Sequence, residues 1–282
     1  MSKSLPHHPQ DTDVAARGIG TQPLQRALRA ALKVPEVTIY FWIIKVLSTA
    51  LGESTSDYLV YHLDNKYIAV ALGGVGFVVA LVLQFFVRRY VAWIYWLAVI
   101  MVAIFGTMAA DVVHIVLLVP YVLSTVFFSI VLAIIFVVWY ATEKTLSIHS
   151  IYTPRRELFY WATVMATFAL GTAAGDMTAA TFRLGYFNSG VLFAALFALP
   201  ALGYSLVRLN AILAFWFAYI MTRPFGASFA DWFGKPILGG LGLGDTWVSL
   251  VLTILIIGFV GYLTVTRIDI KEIPGQTRDP RG

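Results

Sequence analysis

The amino-acid sequence predicts an all-α polytopic integral membrane protein, with eight transmembrane helices arranged as four parallel two-helix repeats. Three observations lead to this fold class: an apolar composition, eight hydrophobic stretches of membrane-spanning length, and a motif that recurs four times. Of the 282 residues, 59% are hydrophobic and only 12% are charged, whereas soluble domains carry about 25% charged residues. The chain contains no cysteine, which excludes disulfides, thiolate metal sites and a cysteine nucleophile.

The predicted segments follow from hydrophobicity, because about 20 apolar residues are needed to span a bilayer as a helix. Residues 1–21 are expected to form a disordered cytoplasmic tail. Residues 22–33 interleave leucines with basic residues and predict a basic amphipathic helix on the membrane surface. An eight-span domain follows over 34–266, and residues 267–282 form a second cytoplasmic tail. The predicted spans are 35–59, 67–87, 91–116, 118–140, 156–180, 187–207, 210–232 and 246–266.

The basic residues are distributed unevenly between the two sides of these spans. The N-terminal segment, the second, fourth and sixth connections and the C-terminal segment together hold 15 of the 20 Lys and Arg. The positive-inside rule then places both termini in the cytoplasm, in a bacterial inner membrane. The same asymmetry accounts for the net positive charge without a nucleic-acid partner. The lipid bilayer is the main expected partner, no cofactor is expected, and the sequence is compatible with a homo-oligomer.

One motif recurs four times at constant spacing: a Trp, a Gly ten residues later, and an Asp five residues after that. It stands in repeats bounded at about 35–89, 90–142, 155–208 and 209–266. Because all four copies lie on odd-numbered spans, they run in the same direction, and any symmetry axis lies along the membrane normal. A small residue precedes each Asp, and Gly-x-x-x-small lets helix backbones approach closely in lipid, so the Trp and Gly residues are expected to form a packing scaffold. The copies are Trp42, Gly52, Asp57; Trp96, Gly106, Asp111; Trp161, Gly171, Asp176; and Trp216, Gly226, Asp231.

These four tandem two-span repeats, each with its Trp, resemble a bacterial membrane-protein family described as a repeat of unknown function. The most similar stretch runs from Lys33 to Lys45 and continues to Gly52, Glu53 and Asp57. The resemblance extends from residue 33 to about 266. It implies the fold but no activity.

A polar stripe follows each Trp, because positions 3, 7, 11 and 15 after it lie on one helix face. A charged residue at the bilayer centre costs about 3 kcal/mol or more, so such residues face the protein interior and often mark an ion or proton path. In the first repeat the four positions are all polar. The polar residues of the stripes are Lys45, Thr49, Glu53, Asp57, Thr107, Asp111, Thr172, Asp176, Arg223 and Asp231, with His114 above Asp111.

The stripes predict a transporter or exporter of a small cation such as a divalent metal, coupled to protons, and not an enzyme. The expected ligands are Glu53, Asp57, Asp111, Asp176 and Asp231, with Lys45 and Arg223 as counter-charges and Thr49, Thr107, Thr172 and His114 as accessory polar groups. If every group ionises, this set carries a net charge of −3, which attracts cations, and crowded carboxylates share protons. The spacing of Asp111 and His114 suits a metal, but two ligands do not identify one.

An alternative explanation is that the same charges form buried pairs that only hold helices together. Lys45 would then pair with Glu53, or Arg223 with a neighbouring Asp, and the aspartates would cap helices or lie among lipid headgroups. This alternative predicts a non-transporting membrane scaffold or sensor. No nucleophile elbow, phosphate-binding loop or metalloprotease motif supports an intramembrane enzyme.

Overall fold

A computed structural model of the chain describes residues 32–207 and 209–270, and over these residues the regular structure is entirely helical. Two π-helices, Val112–Val116 and Met177–Thr181, continue the third and fifth α-helices, and a short 3-10 helix covers Ile148–Ser150. The predicted tail 1–21, residues 22–31 of the predicted interfacial helix and the last twelve residues lie outside the described residues. The α-helices are α1 (Ile39–His62), α2 (Lys66–Phe86), α3 (Ala92–Asp111), α4 (Tyr121–Glu143), α5 (Pro154–Asp176), α6 (Gly185–Val207), α7 (Ala211–Gly234) and α8 (Asp245–Thr266).

The helix starts follow from capping residues. Thr38 accepts a hydrogen bond from the first turn of α1 and Asn65 does the same for α2. Thr153 caps α5 immediately before Pro154, where a missing N–H costs nothing. Asn210 caps α7 through two backbone N–H groups. Ser, Thr, Asp and Asn favour these positions because their side-chain oxygens satisfy otherwise unpaired donors.

Two predicted boundaries at the start of the chain are wrong. The first helix begins at Ile39 rather than at residue 35, because residues 35–38 are non-helical and Glu36 N bonds to the carbonyl of Asp269. Lys33 was predicted to end an interfacial helix. It is instead non-helical and buried, with its ammonium 2.6 Å from the Glu157 carboxylate.

The four helices that carry the motif, α1, α3, α5 and α7, form a closed ring. Each packs against two others in the order α1, α3, α5, α7 and back to α1. The second helix of each repeat packs on the motif helix of the following repeat, so that α2 covers α3, α4 covers α5 and α6 covers α7. The last helix, α8, closes the outer ring on α1. The bundle therefore has four inner and four outer helices.

The outer surface of the bundle is apolar. Six helices are long and apolar enough to cross a membrane: α2, α3, α4, α5, α6 and α8. The other two, α1 and α7, have 24 residues each but carry internal charges. Large side chains such as Val137 and Ile257 are 68% and 66% exposed on the outer helices, which is the surface that lipid requires. The prediction of a helical membrane protein is therefore supported, and six of the described helices have the length and composition of a membrane span.

The two ends of the inner ring differ, and we name them the Trp end and the Asp end after the motif residues found there. At the Trp end the segment 32–38, the connections 87–91 and 144–153 and the residues 267–270 are joined by backbone hydrogen bonds. These are Tyr90 N to Leu32 O, Lys33 N to Ile151 O and Glu36 N to Asp269 O. The Asp end carries the connections that follow the motif helices α1, α3, α5 and α7, together with the first residues of α8.

Candidate functional site

Aromatic side chains close the inner ring at the Trp end. The aromatic residue that precedes each motif Trp contacts the Trp of the following repeat, and the fourth repeat returns to the first. Equal positions meet around the whole ring, so the four motif helices run in the same direction. The ring-centroid distances are 5.6 Å for Phe41–Trp96, 5.7 Å for Tyr95–Trp161, 6.2 Å for Tyr160–Trp216 and 5.6 Å for Phe215–Trp42.

The motif glycines form a second cyclic set of contacts, one level deeper. Each Gly faces the residue seven positions after the Trp of the following repeat, and a side chain at any of the four would overlap that neighbour. Packing is therefore a role that the geometry gives to all four glycines. A Cβ atom would lie 2.8 Å from Ala103 C at Gly52, 2.7 Å from Phe168 Cβ at Gly106, 2.6 Å from Arg223 Cβ at Gly171 and 2.8 Å from Val46 O at Gly226, where Thr49 also approaches.

Arg223 occupies the centre of the inner ring. Its Nη2 atom donates to Glu53 Oε2 at 2.6 Å and to Thr172 Oγ1 at 2.7 Å, and also to the Thr107 hydroxyl. Its Nη1 atom lies 3.4 Å from the carbonyl of Thr49. One guanidinium thus holds side chains from the three other motif helices, and all three acceptors stand eleven residues after their Trp. Arg223 is fully buried, so this layer blocks the centre of the bundle.

Lys45 lies below Arg223, on the side of the Trp end. Its ammonium is 4.1 Å from the ring centre of Phe168 and 4.3 Å from that of Tyr219. Among the described residues it has no hydrogen-bond partner, although it is only 1% exposed. Lys45 does not pair with Glu53, because eight residues along one helix separate them by about 12 Å. The Glu53 carboxylate is paired with Arg223 of α7 instead.

The acidic residues of the motif meet at the Asp end. Ligand oxygens of Glu53, Asp57 and Asp231 all lie within 4.8 Å of one another, close enough to hold one ion. Asp111 and Asp176 are less enclosed and interact electrostatically with Glu53 and Asp57. The structure therefore brings Glu53, Asp57 and Asp231 into one cluster and places Asp111 and Asp176 at the same end of the bundle. Carboxylate oxygens suit hard cations such as Mg²⁺, Mn²⁺ and Ca²⁺.

Lys235 is a site residue that was not predicted, because the sequence places it in a connection. Its ammonium lies 2.8 Å from Asp57 Oδ2 and 2.8 Å from Asp231 Oδ1. Burial lowers the pKa of Lys235, but the carboxylates of Asp231, Asp57 and Glu53 outweigh burial and raise it well above its usual value. Lys235 is therefore a cation at neutral pH. The acidic cluster is therefore paired with Arg223 and Lys235, whereas the predicted counter-charge Lys45 does not contact it.

Two accessory residues do not join the acidic cluster. The His114 ring lies 4.4 Å from the Tyr121 ring, and its Nδ1 atom is 3.3 Å from both Val119 O and Ser124 Oγ. It was expected above Asp111 on the same face, but the π-helix that begins at residue 112 changes the helical phase. Thr49 donates to the carbonyls of Val46 and Thr222 and so joins α1 to α7.

A second buried ionic network lies at the Trp end and was also not predicted. Lys33 Nζ contacts Glu157 Oε2 at 2.6 Å and the carbonyl of Phe85 at 3.2 Å. Gln84 donates to the other oxygen of Glu157 at 3.1 Å. Nothing in the repeat pattern marks these residues, since they stand outside the motif. The network ties the N-terminal segment to the ends of α2 and α5.

The fold and the two buried ionic networks define a class: a helical bundle with the outer surface of a membrane protein, built from four tandem repeats around a polar axis. Four consecutive stretches, residues 40–90, 94–145, 159–209 and 214–269, match the family described as Repeat of Unknown Function (DUF347). Since these stretches cover most of the chain, the protein belongs to this family, and the predicted resemblance is confirmed. No curated protein and no solved structure matches the chain.

Proposed function

We propose that the protein is a membrane transporter or exporter of a small cation, with a divalent metal as its best-fitting class of substrate, coupled to protons. In this proposal all eight helices cross the membrane, with the Trp end in the cytoplasm and the Asp end outside. The observation that carries the proposal is the position of Lys235. Its ammonium is held 2.8 Å from the carboxylates of both Asp57 and Asp231, so this site already binds a cation that belongs to the protein.

A free cation would bind by replacing that ammonium. Lys235 directly follows the last residue of α7 and its side chain is 19% exposed, so it can swing outward without unfolding a helix. The incoming ion would gain oxygens from Asp57, Asp231 and Glu53. A divalent ion offers two charges to this cluster where lysine offers one, which favours the exchange.

The inner half of the bundle opposes passage of the same ion. Arg223 and Lys45 stand on the axis below the acidic site, and both repel a cation. Transport therefore requires Arg223 to leave the ring centre, together with a change in the partner of Glu53. Protons supply a means, because a carboxylate that takes up a proton releases both its metal and its arginine.

Cation binding is tested directly with purified protein in detergent. Thermal unfolding is followed during titration with Mg²⁺, Mn²⁺ and Ca²⁺ at two pH values, because a ligand that binds the folded state raises the midpoint. We expect stabilisation by at least one ion, weaker at the lower pH. Asp57→Asn should abolish it. Asp64→Asn is the matched control, since Asp64 is exposed in the connection that follows α1.

Lys235→Gln should strengthen cation binding, in contrast to Asp57→Asn, if the Lys235 ammonium competes with the ion. Removing a positive charge 2.8 Å from two carboxylates should tighten cation binding about tenfold or more, which corresponds to about 1.4 kcal/mol. Unchanged or weaker binding in this variant would contradict competition. Flux into vesicles that contain the purified protein then decides whether binding leads to transport.

A non-transporting scaffold or sensor is the second candidate, and the three side-chain acceptors that Arg223 holds on three other helices favour it. Locking four helices together is a sufficient role for a guanidinium that binds three side-chain acceptors. This candidate predicts that Glu53→Gln lowers stability while no cation binds or moves in the unmodified protein. The titration and the flux measurement together separate the two functions.

A further inference from the structure

Polar groups continue along the axis below Arg223, where a simple packing core would be apolar. Successive layers of the inner ring are four residues apart, or about 6 Å. The layer three residues after the Trp contains Lys45 and Tyr219, and the layer just before the Trp contains Tyr95 and Tyr160. The other repeats place Val99, Val164, Phe41 and Phe215 at these positions.

The hydroxyl groups of these layers lie next to one another. Tyr95 and Tyr160 share a hydrogen bond between their hydroxyls. The Tyr219 hydroxyl interacts electrostatically with that of Tyr160, and it has no hydrogen-bond partner among the described residues. The Tyr219 ring in turn lies against the Lys45 ammonium. All four side chains are at most 1% exposed.

Two of these buried polar atoms, Lys45 Nζ and Tyr219 Oη, have no hydrogen-bond partner within the described residues. Buried polar groups in native proteins are almost always satisfied, and where the protein supplies no partner, bound water does so. An ammonium or amine beside two hydroxyl layers is polar enough to hold such water. The space between Lys45 and the tyrosines is therefore expected to be hydrated.

We propose that the hydroxyls of Tyr95, Tyr160 and Tyr219, with the water between them, form a proton path from the Trp end of the bundle to Lys45. This inference deepens the proposed function, since it assigns the proton-coupling site of that transporter. Lys45 is the terminal proton carrier. The acidic cluster at the Asp end remains the site of the cation.

The path begins at the half-buried Tyr90 of the Trp end. Tyr90 donates a hydrogen bond of 2.5 Å to Asp269 Oδ2, and its ring packs edge-on against that of Tyr95 at 5.7 Å. A proton taken from water reaches the first hydroxyl oxygen, which releases its own proton to the next oxygen. The last proton adds to the nitrogen lone pair of the Lys45 amine, and an ammonium forms. Return of the proton reverses each step, so no other reactant is consumed.

The chemistry of the two central cations explains why the path ends at Lys45. A guanidinium keeps its proton in proteins, whereas a buried lysine amine can release one. Within the described residues, the charged or titratable groups that face Lys45 are Arg223 and Tyr219, both on α7, while α5 presents the apolar Phe168. A proton on Lys45 adds a positive charge beside Arg223, which strengthens the preference of Arg223 for Glu53. A proton that reaches Lys45 from the Trp end thus influences Glu53, which lies two layers above Lys45 in the acidic site.

The first test measures hydrogen exchange at Lys45 itself. Protein labelled with ¹⁵N-lysine is placed in lipid nanodiscs, and the Lys45 Nζ resonance is identified by its loss in Lys45→Met. We expect its protons to exchange with D₂O, and the variant Tyr160→Phe/Tyr219→Phe to slow this exchange at least about tenfold. Phenylalanine is the natural residue of repeats one and four at the position of Tyr160, so the fold tolerates it there. Tyr140→Phe, at an exposed tyrosine of α4, is the control and should exchange like the unmodified protein.

The second test measures proton movement in vesicles that contain a pH-sensitive dye. Cation-driven proton movement should fall at least about tenfold in Tyr160→Phe/Tyr219→Phe, while the cation-induced thermal shift is unchanged. Equal exchange and equal proton movement in this variant and in Tyr140→Phe would overturn the path. Slow exchange in the variant, without any cation-driven proton movement in the unmodified protein, would uphold the path and refute the proposed transport. The two proposals therefore fail separately.

Discussion

The close contact at Gly52 gives a prediction whose size can be worked out from the structure. Alanine forms helix better than glycine by about 1 kcal/mol, so a helical Gly→Ala change with free space should stabilise the protein. Gly258 on α8 has nothing within 4 Å of an added Cβ and meets that condition. At Gly52 the added Cβ would lie 2.8 Å from the backbone carbon of Ala103. Backbone at this distance cannot rotate away, and overpacking of this kind costs about 1–3 kcal/mol.

The pair of variants isolates the packing energy, because the helix propensity gain is common to both. Gly52→Ala should be less stable than Gly258→Ala by about 1–3 kcal/mol. Unfolding of the purified protein by heat or denaturing detergent, followed by tryptophan fluorescence, measures the difference. Gly226→Ala should resemble Gly52→Ala, since backbone atoms of α1 face it too. Equal stability of Gly52→Ala and Gly258→Ala would show that α1 and α3 are not packed this closely.

Two further predictions concern buried charged groups, one pair at the centre of the inner ring and one acid at the Trp end. Arg223→Gln should lower the unfolding free energy by about 3–5 kcal/mol, because it leaves Glu53 charged and unpaired. Adding Glu53→Gln should restore much of that loss in the same unfolding assay. A double variant as unstable as Arg223→Gln alone would contradict the pairing of Arg223 with Glu53. Burial raises the pKa of Asp269 against the opposing hydrogen bond from Tyr90, so the folded protein favours the protonated acid. Its contribution to stability is complete below the unfolded pKa of about 3.9 and is lost as the pH rises through the folded pKa. Asparagine cannot ionise, so Asp269→Asn should flatten the dependence of the melting temperature on pH above about 4. A pH profile identical to that of the unmodified protein would refute the assignment of this dependence to Asp269.

The spacing of the repeat predicted much of the inner ring. It placed Trp, Gly and Asp on four equivalent helices, and the structure brings these residues together at equal levels. It did not predict which helix each Gly contacts, because a single sequence defines the faces of a helix but not the order of its neighbours. Arg223 was predicted as a counter-charge to the acidic residues, but for the same reason the sequence did not single out Glu53 as its partner. Only the closed ring brings α7 next to α1.

Lys235 and His114 were misjudged for local reasons. Lys235 stands four residues after Asp231, a spacing that allows an ion pair on one helix face, and this signal could have placed it in the site. It was assigned to a connection because the apolar stretch ends before it. His114 was placed by a regular helical period, and no feature of the sequence marks the π-helix that turns it away. The charges inside α1 and α7 also explain why these two helices are less apolar than the other six helices that the structure describes.

The repeats are equivalent in their contacts but not in the residues that reach the axis, and this difference is required by electrostatics. A ring of four identical helices with Arg at the position of Arg223 would place four guanidiniums at one point, where like charges without partners are too costly to bury. In this chain the equivalent positions are Thr49, Ala103 and Phe168, so a single guanidinium occupies the centre. The acceptors one layer above are likewise one carboxylate and two hydroxyls. Four fused repeats can therefore keep the packing of a fourfold bundle while holding one ion pair, one lysine and one acidic cluster at separate levels. A symmetric assembly of identical two-helix subunits could not separate them in this way.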